Sequence, residues 1–88
     1  MNHIHPHSLG LAFGIFLALF HAVWSVLVAL GIAQSMMDTI LNLHMIVPFI
    51  TIAEFSLTNA VLLVVVTGVL GYVFGWLLGV IWNRYAVK

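Results

Sequence analysis

Cysteine is absent and formal charge nearly so: the 88 residues include 2 Lys or Arg, 2 Asp or Glu, and 5 His counted as neutral at pH 7. The first absence excludes a disulfide framework, a thiolate metal cluster and a cysteine nucleophile. The second excludes an ordinary globular surface, because charged side chains make up 5% of the chain, whereas soluble domains run near a quarter. A net charge of zero leaves no basic patch for nucleic acid and no acidic field for a cationic partner. Catalytic pairings are missing too. No nucleophile lies beside a base, Asp38 and Glu54 have no evident partner, and the glycines sit in hydrophobic runs rather than in a phosphate-cradling loop; enzymatic chemistry is not expected.

What the chain has in abundance is apolar surface, 65% of its residues. A soluble domain of this length buries only about 60% of its unfolded surface, which would leave long apolar runs in water. Lipid is therefore the expected solvent and the bilayer the expected partner. The first run, residues 8–33, has no Asp, Glu, Lys or Arg, and the second, residues 56–83, is uncharged until Arg84. At about 1.5 Å per residue each exceeds the roughly 30 Å of a hydrocarbon core. Gly31-Ile32-Ala33 before Gln34 resembles a signal-cleavage site. However, the apolar stretch is too long for a signal h-region and lacks a Lys or Arg before it. The expected fold is an all-α membrane protein: a two-helix transmembrane hairpin with a short interfacial helix in the connection.

Arg84 and Lys88 follow the second run, and Asp38 and Glu54 lie between the two. Basic residues favour the cytoplasmic side, so both termini are expected in the cytoplasm and the 34–55 connection outside. Residues 1–7 read as a His-rich tail and 84–88 as a basic tail, with Trp82, Arg84 and Tyr85 as interface anchors. In the connection, Ser35 followed by Asp38 resembles a capping box and opens a helix over about 35–47. Ser35, Asp38, Thr39 and Asn42 share its polar face; Met36, Met37, Ile40, Leu41 and His44 form the other. That pattern fits a helix in the membrane interface or one packed on the ends of the spans. Pro48 is the expected stop, 49–55 an extended return, and Ser56 the N-cap of the second span.

Gly71, Gly75 and Gly79 recur every four residues with Gly68 one turn before, and Gly10, Gly14, Ala18 and Ala22 repeat the spacing in the first span. Lipid supplies no hydrophobic force between helices, so such small-residue grooves act by close backbone approach. They are expected to pack the hairpin, or one of them a second copy or a larger membrane complex. His21 is the one ionisable side chain well inside a span, and such groups are costly in lipid and tend to be functional. Pairing spans centred near Phe20 and Leu70 would bring His21 and Ser25 to the depth of Thr67 and Tyr72. The imidazole is then satisfied by Thr67 or a backbone carbonyl, serves a proton or ion relay, or ligates a metal or haem. His3, His5 and His7 form a possible Cu(II), Ni(II) or Zn(II) site, although no acidic or thiol partner accompanies them, and no cofactor is otherwise expected.

The closing run Gly71-Tyr72-Val73-Phe74-Gly75-Trp76-Leu77-Leu78-Gly79-Val80-Ile81-Trp82-Asn83-Arg84-Tyr85 and the opening Leu9-Gly10-Leu11-Ala12-Phe13-Gly14-Ile15 resemble small, uncharacterised two-span membrane proteins of bacteria and archaea. Some of these carry a label as bacteriophage holins. The resemblance implies a prokaryotic cytoplasmic membrane and, on the holin label, an oligomer that permeabilises it. The N-terminal histidines, the long apolar connection and a tail with only Arg84 and Lys88 in place of a strongly basic one depart from it. Two functions follow as expectations: an accessory subunit packing through its small-residue faces, or a holin-like or ion-conducting oligomeric pore using His21.

Overall fold

A computed structural model describes residues 2–87. It is all-helical, in the order α1 (Pro6–Ala29), α2 (Ala33–Leu43) and α3 (Leu57–Tyr85). At 1.5 Å per residue, α1 is about 36 Å long and α3 about 43 Å; both are long and apolar enough to cross a membrane. They pack antiparallel along most of their length, whereas α2 approaches α1 alone. The result is a flat, extended molecule of 48 × 33 × 14 Å. Its radius of gyration is 17.0 Å, against about 12 Å for a compact chain of this length.

Local chemistry sets the helix ends, not always where the sequence suggests. Proline at the first position starts α1 at Pro6, where its missing N–H goes unneeded. Pro6 and His7 are therefore helical rather than tail. The helix stops at Ala29, short of residue 33, because Gly31 takes φ +80°. There Gly31 N–H donates to Val28 O at 3.0 Å and Ile32 N–H to Leu27 O at 3.2 Å, the paired bonds of a Schellman cap. The resemblance of 31–33 to a cleavage site thus has a structural counterpart, a helix terminator.

α2 starts at Ala33 with Ile32 in the cap position and no side-chain cap, so the expected Ser35–Asp38 capping box does not form. Ser35 lies inside the first turn, and its carbonyl accepts from Thr39 Oγ1 at 2.9 Å. Pro48 is not the stop either. A second Schellman arrangement closes the helix at Leu43: Met45 N–H donates to Asn42 O and Ile46 N–H to Leu41 O, at 3.0 and 2.9 Å. Met45 thereby holds φ +61°, a region where a side chain costs about 1–2 kcal/mol relative to glycine. Met45→Gly is expected to stabilise α2 by about 1 kcal/mol, read as slower amide exchange at Leu41 and Asn42; unchanged or faster exchange would contradict the strain.

α3 begins as expected, with the Ser56 side chain accepting from Asn59 N–H at 3.3 Å. It runs two residues past the expected 83, to Tyr85, placing Arg84 in its last turn. There the positive charge is favourable at the helix dipole's negative end.

What is buried is unusual. Gly10 and Gly14 of α1, Gly71, Gly75 and Gly79 of α3, and Ala33 are buried, but among the described residues no large side chain is fully covered. Large apolar residues point outward, among them Phe16 at 64%, Leu19 at 62% and Phe74 at 66% exposure. The interior of this fold is a seam of backbone, and its apolar bulk lies outside.

Candidate functional site

The seam fixes the register of everything else. A Cβ added to Gly14 would lie 2.8 Å from Gly68 O, one on Gly71 2.8 Å from Phe13 O, and one on Gly75 2.6 Å from Leu9 O. Gly79 meets Pro6 and Gly10 meets Tyr72 as closely, both at 2.9 Å, while Gly68 faces Ala18 at an ordinary 3.5 Å. Both small-residue stripes therefore face each other within one chain. Backbone contact this close needs glycine, because any side chain would separate the helices and lose dispersion along their length.

This register shifts the polar groups away from the partners proposed for them. His21 does not meet Thr67 or Tyr72. Its Nδ1 lies 2.7 Å from Leu17 O, so Nδ1–H donates to the carbonyl one turn back. The ring stands edge-on to Phe20 with centroids 5.4 Å apart. Ser25 Oγ donates to His21 O at 2.9 Å, and Thr67 Oγ1 to Leu63 O at 2.7 Å. Each group is satisfied on its own helix, as short polar side chains do where a preceding carbonyl is within reach. The expectation that a backbone carbonyl serves the imidazole holds, and the cross-helix match at equal depth does not. Tyr72 instead shares a 2.7 Å hydrogen bond with His7 Nδ1.

At the end where the termini meet, residues 2–5 lie along the last turns of α3. Asn83 accepts from Ile4 N–H at 2.7 Å and donates Nδ2–H to Ile4 O at 2.6 Å, a two-point pairing of carboxamide with peptide. Trp82 Nε1–H donates to Asn2 O at 3.1 Å, so this expected interface anchor also holds the chain's own start. Arg84 stands 5.8 Å from the Tyr85 ring. The histidines divide: His7 is in α1 and bound to Tyr72, while His3 and His5 lie exposed in the strap. Among the described residues no three His, Cys, Asp or Glu side chains converge on a metal site.

Gln34 does at the other end what Asn83 does here. Its Nε2 donates to Asp38 Oδ1 and Ile50 O, at 2.9 and 2.8 Å, and its Oε1 accepts from Ile52 N–H at 2.7 Å. Asp38 is thus turned into the fold rather than sharing an outer polar face, and α2 holds the return segment across the mouth of the hairpin. The signal for both carboxamides was their isolation. Each is a side chain with donor and acceptor placed beside a stretch whose peptides lack regular pairing, where buried backbone groups must find partners.

Behind that segment the helices no longer meet through glycine. Trp24, Ser25 and Val28 of α1 face Asn59, Ala60 and Leu63 of α3 around a cavity of about 270 Å³, roofed by residues 51–56. A second space of about 230 Å³, lined by Gly31, Ala33 and Gln34, is bordered by the same segment. Glu54 borders both and forms no ion pair among the described residues. No protein-family model, curated protein or solved structure matches the chain.

Proposed function

We propose that the chain is an integral membrane hairpin crossing the bilayer twice, with α2 in the interface, both termini in the cytoplasm of a prokaryotic cell, and a non-enzymatic role as an accessory subunit. The observation that carries this reading is the outward bulk of α1 and α3: phenylalanine, leucine and valine cover the outside while glycine fills the inside. In water that surface far exceeds the few hundred Å² of contiguous apolar patch a monomer tolerates. In lipid it needs no cover.

α2 supports the interfacial placement. Its exposed surface carries apolar Met36, Ile40 and Leu43 beside polar Ser35, Thr39 and Asn42, a division suited to a helix lying half in acyl chains and half in water. The two glycine stripes hold this chain to itself, so further copies or a larger complex would meet the outer faces. A pore built around His21 is the weaker reading because the imidazole Nδ1 is tied to its own helix.

The absence of native cysteine makes the topology directly testable. Asn42→Cys in intact cells is expected to react with an impermeant maleimide, and Val87→Cys only after permeabilisation. Labelling in the reverse pattern would overturn the orientation, and a chain recovered in the soluble fraction would overturn membrane insertion altogether.

A further inference from the structure

The mouth of the hairpin has a property the glycine seam lacks: unpaired hydrogen-bonding groups beside an apolar opening. Within the described chain neither the Trp24 indole N–H nor the Asn59 carboxamide has a hydrogen-bond partner. The Glu54 carboxylate in the same lining forms no ion pair among the described residues. Val28, Ala60 and Leu63 line the same cavity, and Val26, Leu57 and Val61, close to them in sequence, expose their side chains on the apolar outer surface. The opening thus grades from carboxylate and amide to hydrocarbon, as a phospholipid grades from headgroup to acyl chain.

We propose that this mouth binds the headgroup of an aminophospholipid from the leaflet on the connection side. The primary ammonium sits on the Glu54 carboxylate, and the phosphate and ester oxygens are served by Trp24 and Asn59. This rests on the membrane reading above. The charge selects the class: an unpaired carboxylate attracts a cationic headgroup and repels a purely anionic one. A primary ammonium also donates hydrogen bonds that a choline cannot, and charge-assisted bonds are the strong ones. Size assigns only the headgroup to the cavity. About 270 Å³ is below the roughly 300–1,000 Å³ that encloses a drug-sized molecule, so the acyl chains lie outside along Val26 and Val61. The same continuity with the outer apolar surface favours a lipid over a water-soluble amine.

The test uses the full chain in nanodiscs of phosphatidylethanolamine, phosphatidylcholine and phosphatidylglycerol in equal parts, followed by native mass spectrometry of the lipids that remain bound. Wild type is expected to retain phosphatidylethanolamine over phosphatidylcholine by about fivefold, the scale of one exposed ion pair. Glu54→Gln is expected to lose that preference, and Glu54→Asp to keep part of it. Equal retention by wild type and Glu54→Gln in chains that do enter the discs would overturn the proposal while leaving the membrane reading intact. Failure to enter the discs would overturn both. Displacement of the bound lipid by glycerophosphoethanolamine in the buffer would also overturn it, making the occupant a soluble amine.

Discussion

Gly75→Leu is expected to open the hairpin at the end where the termini meet while leaving α1 and α3 helical. A Cβ at this position would lie 2.6 Å from Leu9 O and 2.8 Å from Gly10 Cα. These are backbone atoms of a hydrogen-bonded helix and cannot rotate aside. Even Gly75→Ala is expected to cost about 1–3 kcal/mol, the range of overpacked sites, and leucine more. Gly68→Ala is the internal control. Its Cβ would meet Ala18 Cβ at 3.5 Å, ordinary contact, and alanine improves helix propensity by up to about 1 kcal/mol. Spin labels at Ala12→Cys and Val73→Cys, on opposite sides of the seam, report the opening as a longer and broader distance distribution. The two glycines behaving alike would count against close backbone approach as what sets Gly75 apart.

The contrast between those two glycines also marks how far the sequence could be read. The seam was legible because only small residues permit helices to touch, so a four-residue spacing of glycine and alanine in an apolar helix has one main use. The register was not legible, because the polar groups that point to one, on His21, Ser25, Thr67 and Tyr72, do not bond to one another. On a helix a histidine, serine or threonine has a carbonyl one turn back within reach, and His21, Ser25 and Thr67 all took it. That left the glycines alone to set depth. Tyr72, too long to reach its own backbone in that way, is the one of the four that bonds across, to His7.

Helix ends divide along the same line. Ser56 and Gly31 act through their own chemistry, an oxygen that caps and a backbone free to turn left-handed, and a local reading can find them. Met45 cannot be found so, since methionine has no preference for positive φ; it is placed there by the bonds its neighbours complete. The mouth cavity is a step further from the sequence. Trp24 and Asn59 are 35 positions apart and line one cavity because α1 and α3 pack antiparallel and the return segment held by Gln34 closes over them.

Phe16→Lys separates lipid from water as the solvent of this fold more sharply than any change inside it. Phe16 is near the middle of α1 and 64% exposed, and its nearest aromatic neighbour is Phe20, with ring centroids 6.4 Å apart on the same face. Were that face in water, lysine would remove exposed apolar area and alter stability by no more than about 0.5 kcal/mol. In a bilayer the same lysine stands near the hydrocarbon centre, where insertion is disfavoured by about 2.5–3.5 kcal/mol, about a hundredfold in the insertion equilibrium constant. Asn42→Lys, on the polar side of α2, is expected to insert like wild type, because a lysine there extends into water. A glycosylation-mapping insertion assay reads both directly. The membrane reading requires weaker insertion for Phe16→Lys than for wild type, with Asn42→Lys unchanged. Equal insertion of the two would mean that the exposed face of α1 is covered by something other than lipid, and with that the site proposed at the hairpin mouth would lose its supply of ligand.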